Sequence, residues 1–146
     1  MHLLDVNFLI ALCDADHEHH AVAKRWFRAH SGSGWATCPL TENALLRIMG
    51  QPAYPGGPGN PEAIRPLLHR LRSLPGHQFW PDDISFADNA LFPTLNGIAS
   101  KALTDLFLLA LAVRHGGCFI TLDTRVDPTL IPGGTKAFHC IGRKPR

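Results

Sequence analysis

KALTDLFLLALAVRHGGCFITLD, residues 101–123, holds a helix, a glycine stop and a buried strand in one continuous run. Leu103, Leu106, Phe107, Leu108, Leu109, Leu111 and Ala112 leave little of the helix predicted over 100–115 for solvent, the mark of a helix sunk into a core. Gly116 and Gly117 end it, and residues 118–122 continue with almost no polar alternation, as a strand covered on both faces does. Asp105 sits in the first half of this apolar helix, where an ionised carboxylate needs a partner or a metal. Lys101, four residues earlier, and Thr104 extend the polar end of the same helix. Asp123 follows the strand directly.

The same grammar recurs toward the N-terminus. Residues 2–5 read as a short buried strand that ends in Asp5, and a helix follows over 8–13 with Asn7 as its expected cap. A helical pattern over 17–30 is stopped by Gly32, Ser33 and Gly34. Residues 35–38 form a second strand, and Pro39 opens a helix over 39–49 that carries Glu42 near its start. Three prolines and three glycines make residues 51–60 a loop. A helix over 61–74, a strand over 78–80 and a short helix over 84–91, capped by Asp82 or Asp83, precede the long helix. A last strand is expected over 137–141. Alternating strands and helices predict an α/β fold, a three-layer α/β/α sandwich around a mostly parallel central sheet.

At 146 residues the chain has the size of a single domain. We assign residues 1–142 to it and residues 143–146, with three basic side chains, to a C-terminal tail. Hydrophobic residues at 45% and charged residues at 18% exclude general disorder and leave apolar surface for a homodimer. A formal charge of +2 says little about nucleic acid, so the distribution of charge has to carry that argument. No apolar run is long enough for a membrane span or a signal peptide, and a cytoplasmic protein is the expectation. Cys13, Cys38, Cys118 and Cys140 are scattered without metal-binding spacing and read mainly as small core residues.

Asp5, Glu42 and Asp123 each follow a predicted strand closely, and Asp105 lies early in the long helix, so four acids can meet at one edge of the sheet. Gathered carboxylates repel one another unless a cation intervenes. Mg²⁺, or Mn²⁺ in its place, prefers such oxygen ligands, and a metal held this way suits phosphodiester hydrolysis by an activated water. Each acid also has an ordinary reading: Asp5 as a helix cap, Glu42 as a first-turn acid, Asp105 neutralised by Lys101, Asp123 as a turn residue.

Four pieces, in order, resemble the PIN-domain toxins of bacterial VapBC toxin–antitoxin modules: LLDVNFLIALCDADHEHHAVAKRWF at 3–27, PLTENALLRI at 39–48, KALTDLFLLALAVRHGG at 101–117 and FITLD at 119–123. The resemblance spans nearly the whole chain. It implies a PIN-like α/β/α fold, a Mg²⁺- or Mn²⁺-dependent ribonuclease and, position by position, Asp5, Glu42, Asp105 and Asp123 as the metal-holding acids. Asn7 and Thr121 match the polar residues beside the first and last acids and are expected to orient carboxylates or metal-bound water. The last position is the loosest, because Asp127 follows in the same loop. The resemblance further implies an RNA substrate and a cognate antitoxin that presents a Lys or Arg near the acids. Pairing as a homodimer through helices away from the catalytic mouth would also follow.

Arg47, Lys101 and Arg125 are candidates to hold RNA phosphates around the acids. His17, His19 and His20 read as helix-start and surface groups rather than zinc ligands, with His17 near enough in sequence to the active edge to touch substrate. Trp80 and Tyr54 read as packing residues. The paired-acid start of haloacid-dehalogenase-like phosphatases is excluded because Asn7 cannot serve as the second acid. A receiver-like signalling domain is excluded because Lys101 lies in a helix rather than after a strand.

Overall fold

Asp5 ends one strand and starts one helix, and the rest of the fold is arranged around that junction. In a computed structural model the chain is described over residues 1–142, so the expected basic tail at 143–146 lies outside the described residues. Strand β1 (His2–Leu4) leads into α1 (Val6–Cys13), α2 (His20–His30), β2 (Trp35–Thr37), α3 (Pro39–Met49), α4 (Arg65–Ser73) and β3 (His77–Phe79). Helix α5 (Leu103–Arg114), β4 (Cys118–Thr121), a single turn α6 (Gly134–Ala137) and β5 (Phe138–Cys140) complete it. All strand pairs are parallel, in the order β3-β2-β1-β4-β5. The chain therefore starts at the centre, moves outward through β2 and β3, and returns past β1 to build the other half. The direction reverses between β1 and β4, and open parallel sheets bind ligands outside the carboxyl ends of the strands at such a point.

Alternation along the strands divides the core in two. Leu3, Ala36 and Phe119 face α5 and the long connection before it, while Leu4, Trp35 and Ile120 face α1 to α4 through Phe8, Leu9, Leu45 and Leu71. Seven consecutive residues of α5, Leu106 to Ala112, are buried. This is the three-layer α/β/α arrangement with a parallel sheet that the sequence predicts. Burying a Leu or Phe side chain stabilises by roughly 1.5–3 kcal/mol, so this run of α5 is a principal source of cohesion.

Two local expectations are corrected. The helix predicted over 84–91 is not formed, because side chains there bend the backbone into successive turns. Ser85 Oγ accepts from the Ala87 N–H at 3.1 Å and Asp88 Oδ1 from the Ala90 N–H at 2.9 Å, local bonds that compete with a helical ladder. The apolar residues of that stretch, Ile84, Phe86, Leu91 and Phe92, still pack on the α5 face of the core. No helix stands over 84–91 for Asp82 or Asp83 to cap; Asp83 instead lies 3.3 Å from His115 Nε2. At the first helix the cap is Asp5, whose Oδ1 accepts from the Val6 N–H at 2.7 Å, and not Asn7, which is already helical.

Candidate active site

Asp5 is held from two sides at the sheet's carboxyl edge. Its backbone N–H continues the ladder to the Ile120 carbonyl at 2.9 Å, and its Oδ2 accepts a 2.6 Å hydrogen bond from the Thr121 hydroxyl. Thr121 Oγ1 in turn accepts from the Asn7 amide at 3.3 Å and from the Asp123 N–H at 3.0 Å, while Asn7 Oδ1 accepts from the Leu122 N–H at 3.3 Å. Asn7 and Thr121 thus tie the start of α1 to the end of β4 and fix the Asp5 carboxylate across the switch point.

Asp105 projects from the first turn of α5, and because α5 returns to the start of β4 its N-terminal end lies at the strand carboxyl ends. With Asp123 it lines a cleft of about 430 Å³ whose wall also carries Lys101, Arg125 and Asp127. Asp105 makes no ion pair among the described residues, so neutralisation by Lys101 is not realised. Burial and the neighbouring Asp123 push its carboxyl above the usual range. Asp5, only 3% exposed, is pushed up to about 7, first by burial and then by Asp105 and Asp123, against the pull of the Thr121 hydrogen bond. Asp123 is held low instead by Arg125, which grips it with Nε at 3.0 Å and Nη2 at 2.8 Å. Asp127 spends its Oδ1 on the Thr129 N–H and hydroxyl, capping its own turn.

Glu42 occupies a different setting. Thr37 donates to its Oε1 at 2.7 Å, and Arg72 Nη1 lies 3.3 Å from both carboxylate oxygens. The Thr37 hydroxyl hydrogen is thereby used, so the 2.8 Å contact with His77 Nε2 requires the proton on that nitrogen. Asp5, Asp105 and Asp123 act on one another electrostatically; Glu42 acts on His77. Sequence reasoning missed Arg72 and His77, which lie 30 and 35 positions from Glu42 and carry no motif. Thr37, at a strand end five residues before the acid, was the one available signal.

Among the described residues no three His, Cys, Asp or Glu side chains stand close enough to hold one metal ion. The cause is visible in the partners: Asp5 turns its oxygens to Thr121 and Val6, Asp123 to Arg125, and Glu42 to Thr37 and Arg72. The donor set is nevertheless all oxygen, and a buried carboxylate facing two further acids lacks counter-charge. These are features that a hard divalent cation satisfies.

The remaining candidates fall outside this centre. Arg47 lines a separate depression with Asn43, Leu46 and Pro61, and Thr104 is exposed and absent from the cleft wall. His17 lies beyond the far end of α1, a helix of 8 residues that spans roughly 12 Å, so proximity in sequence to Asp5 does not bring it to the acids. Trp80 is buried and stacked on His115 at 4.3 Å, and Tyr54 donates to Asp14 at 2.5 Å, both packing roles.

Comparison with known proteins agrees with this architecture. The PIN-domain family profile matches residues 2–129. Ribonuclease VapC44 of Mycobacterium tuberculosis is 40% identical over 134 residues, covering 92% of this chain and 94% of that protein. Ribonuclease VapC38 of the same species is 42% identical over 127 residues, covering 86% and 87%. The crystal structure of M. tuberculosis VapC20, a toxin described as cleaving the sarcin–ricin loop, superposes with a TM-score of 0.58 at 16% identity, over 80% of this chain and 84% of that one, a likeness of fold. The chain belongs to the PIN-domain family and, within it, to the VapC ribonucleases, which are metal-dependent enzymes.

Proposed function

We propose that this protein is the toxin of a type II toxin–antitoxin pair and hydrolyses RNA phosphodiester bonds with Mg²⁺, or Mn²⁺ in its place, held by Asp5, Asp105, Asp123 and Glu42. The observation that carries this reading is the buried Asp5, fixed by Thr121 and Asn7, repelled by Asp105 and Asp123, and without an ion-pairing side chain among the described residues. When bound, the ion supplies charge neutralisation and a lowered pKa for the attacking water. The chain's own groups do the positioning: Thr121 and Asn7 orient Asp5, Asp105 presents its carboxylate on the cleft wall, and Arg125 and Lys101 offer cations to RNA phosphates on the same wall. Glu42 joins from the Arg72 side, and Asp127, already committed to Thr129, is left out.

The partner reading has its own support. A second groove has an apolar floor that includes Leu12, Phe27 and Leu71, with Lys24, Arg28 and Arg70 around it. This surface suits an acidic amphipathic segment of the cognate antitoxin. A homodimer joined through helices away from the cleft belongs to the same proposal, and a monomeric mass over a wide concentration range removes it. Among the described residues no helix is long and apolar enough to cross a membrane.

The test is cleavage of total bacterial RNA by the purified, antitoxin-free protein with Mg²⁺ or Mn²⁺, beside EDTA and Asp5→Ala controls. Discrete fragments that vanish in both controls establish the reading. A folded protein that binds the ion and leaves every RNA intact overturns it in favour of a binding-only domain.

A further inference from the structure

Phe79 is the last residue of β3, one of the two edge strands of the sheet, and is 42% exposed. Its register partner is Thr37, the residue that hydrogen-bonds Glu42. Leu4, the residue before Asp5, lies one strand further along, because β1 pairs with β2 with Leu3 opposite Ala36. At about 4.8 Å per strand, Phe79 stands roughly 10 Å from the end of β1, on the same carboxyl rim as the acids. Arg72 covers its ring with the guanidinium carbon 4.7 Å from the centroid, and the same guanidinium is shared with Glu42. An exposed aromatic, a planar cation above it and a carboxylate of the candidate centre therefore form one connected unit.

Packing does not require this arrangement. Trp80, the next residue, is 5% exposed and belongs to the core, whereas Phe79 is in neither buried cluster. An aromatic ring and an Arg plane at the rim of a ribonuclease site match the groups that unpaired bases stack on. The side chain of Arg72 is 43% exposed, so its remaining donors are open to a phosphate. We propose that Phe79 and Arg72 form a stacking platform for an unpaired nucleobase of the RNA, flanking the scissile phosphate on the β2–β3 side. This rests on the ribonuclease reading and adds to it a substrate requirement: the flanking base must be free to leave a helix.

The test uses the full-length, antitoxin-free protein and single-stranded RNA oligonucleotides carrying one 2-aminopurine at successive positions, in EDTA, where hydrolysis does not compete. Stacking predicts quenching of the probe at one position, retained by Phe79→Tyr and Phe79→Trp and lost in Phe79→Leu, which keeps bulk without a π face. With Mg²⁺, Phe79→Leu raises KM for RNA cleavage about 5- to 100-fold and changes kcat less, while Arg72→Lys gives an intermediate loss of quenching. A duplex RNA of the same sequence shows no position-specific quenching. A wild-type protein that cleaves RNA while Phe79→Leu keeps both quenching and KM overturns the platform alone, and the exposed ring then belongs to a protein contact. A folded wild-type protein that cleaves no RNA removes the ribonuclease reading, and the platform falls with it. Matched thermal melts of the Leu and Tyr variants separate either result from misfolding.

Discussion

The two flanks of the sheet's carboxyl edge treat their acids in opposite ways. On the β1–β4 flank Asp5 is buried, faces two other carboxylates and has its carboxyl pushed up to about 7. On the β2–β3 flank Glu42 is almost as enclosed, its side chain 12% exposed, yet Thr37 donates to it and Arg72 pairs with it. One flank is short of positive charge and the other is internally balanced. On the proposed function, the difference would place the cation's main attachment on the first flank and leave the second to meet the RNA with its Arg72 cation and Phe79 ring.

The largest expected effect follows from that division. Asp5→Asn and Asp105→Asn each keep size and shape while removing the charge that the ion needs. Metal catalysis contributes several kcal/mol to such reactions, so metal-dependent cleavage should fall about a thousandfold or more, with the circular dichroism spectrum unchanged. Glu42→Gln should lose less, about 10- to 100-fold, because Asp5, Asp105 and Asp123 remain. Equal losses at all three positions would break the comparison and mean that Arg72 yields Glu42 fully to the ion in the working enzyme.

Stability gives the next largest effect, and its sign follows from the raised pKa. Burial favours the neutral form of Asp5, so the site costs the metal-free fold nothing below the unfolded value of 3.8. The cost grows as pH rises and is complete above about 7, where Asp5 is ionised in both states. It amounts to on the order of 4 kcal/mol. In EDTA, then, wild type should lose stability relative to Asp5→Asn between pH 4 and 7, and the variant should be the more stable above that range. Urea melts across pH measure the gap, and added Mg²⁺ should narrow it by binding wild type preferentially. Parallel pH profiles for the two proteins would mean that Asp5 is not short of counter-charge.

This asymmetry marks the limit of what the sequence discloses. The strand ending in Asp5, the apolar helix around Asp105 and the strand before Asp123 are continuous segments whose burial pattern is local, and they were legible with the parallel sheet they build. Asn7 and Thr121 were both singled out in the sequence, but not their contact with each other: Asn7 reaches β4 and does not cap α1. The state of Glu42 was not legible, because it depends on Arg72 and His77, brought over by α4 and β3 after a long loop. Charge pairing across a fold leaves no periodicity in a sequence. The failed helix over 84–91 has the opposite cause: its apolar spacing was correct for burial, and the turn chemistry of Ser85 and Asp88 decided the backbone.

Arg125 offers a smaller test on the acid-rich flank itself. It is the cation that holds Asp123 low, with both ends of its fork on the carboxylate, yet its side chain is 80% exposed. A pair so open to water is screened by solvent and adds little to stability. Arg125→Ala should release Asp123 and tighten Mg²⁺ binding about 2- to 5-fold by calorimetry, while weakening RNA affinity if the same side chain holds a phosphate. Unchanged metal affinity would show that the pair opens at no cost, and Arg125 would then be a phosphate ligand alone.

The smallest effect belongs to the balanced flank. Arg72 and Glu42 form an ion pair at 3.3 Å with the Arg side chain 43% exposed, a geometry whose coupling should be only about 0.2–1 kcal/mol. A double-mutant cycle of Arg72→Met and Glu42→Gln, read by urea unfolding in EDTA, isolates that term. A small coupling means that Thr37 alone suffices to hold Glu42 and that Arg72 is kept at little gain to the fold, which leaves its cation available for RNA. A coupling of several kcal/mol would mean that Arg72 is a structural counter-ion. The contrast between a metal-facing flank and an RNA-facing flank would then reduce to a difference in which acid has been given its cation by the chain.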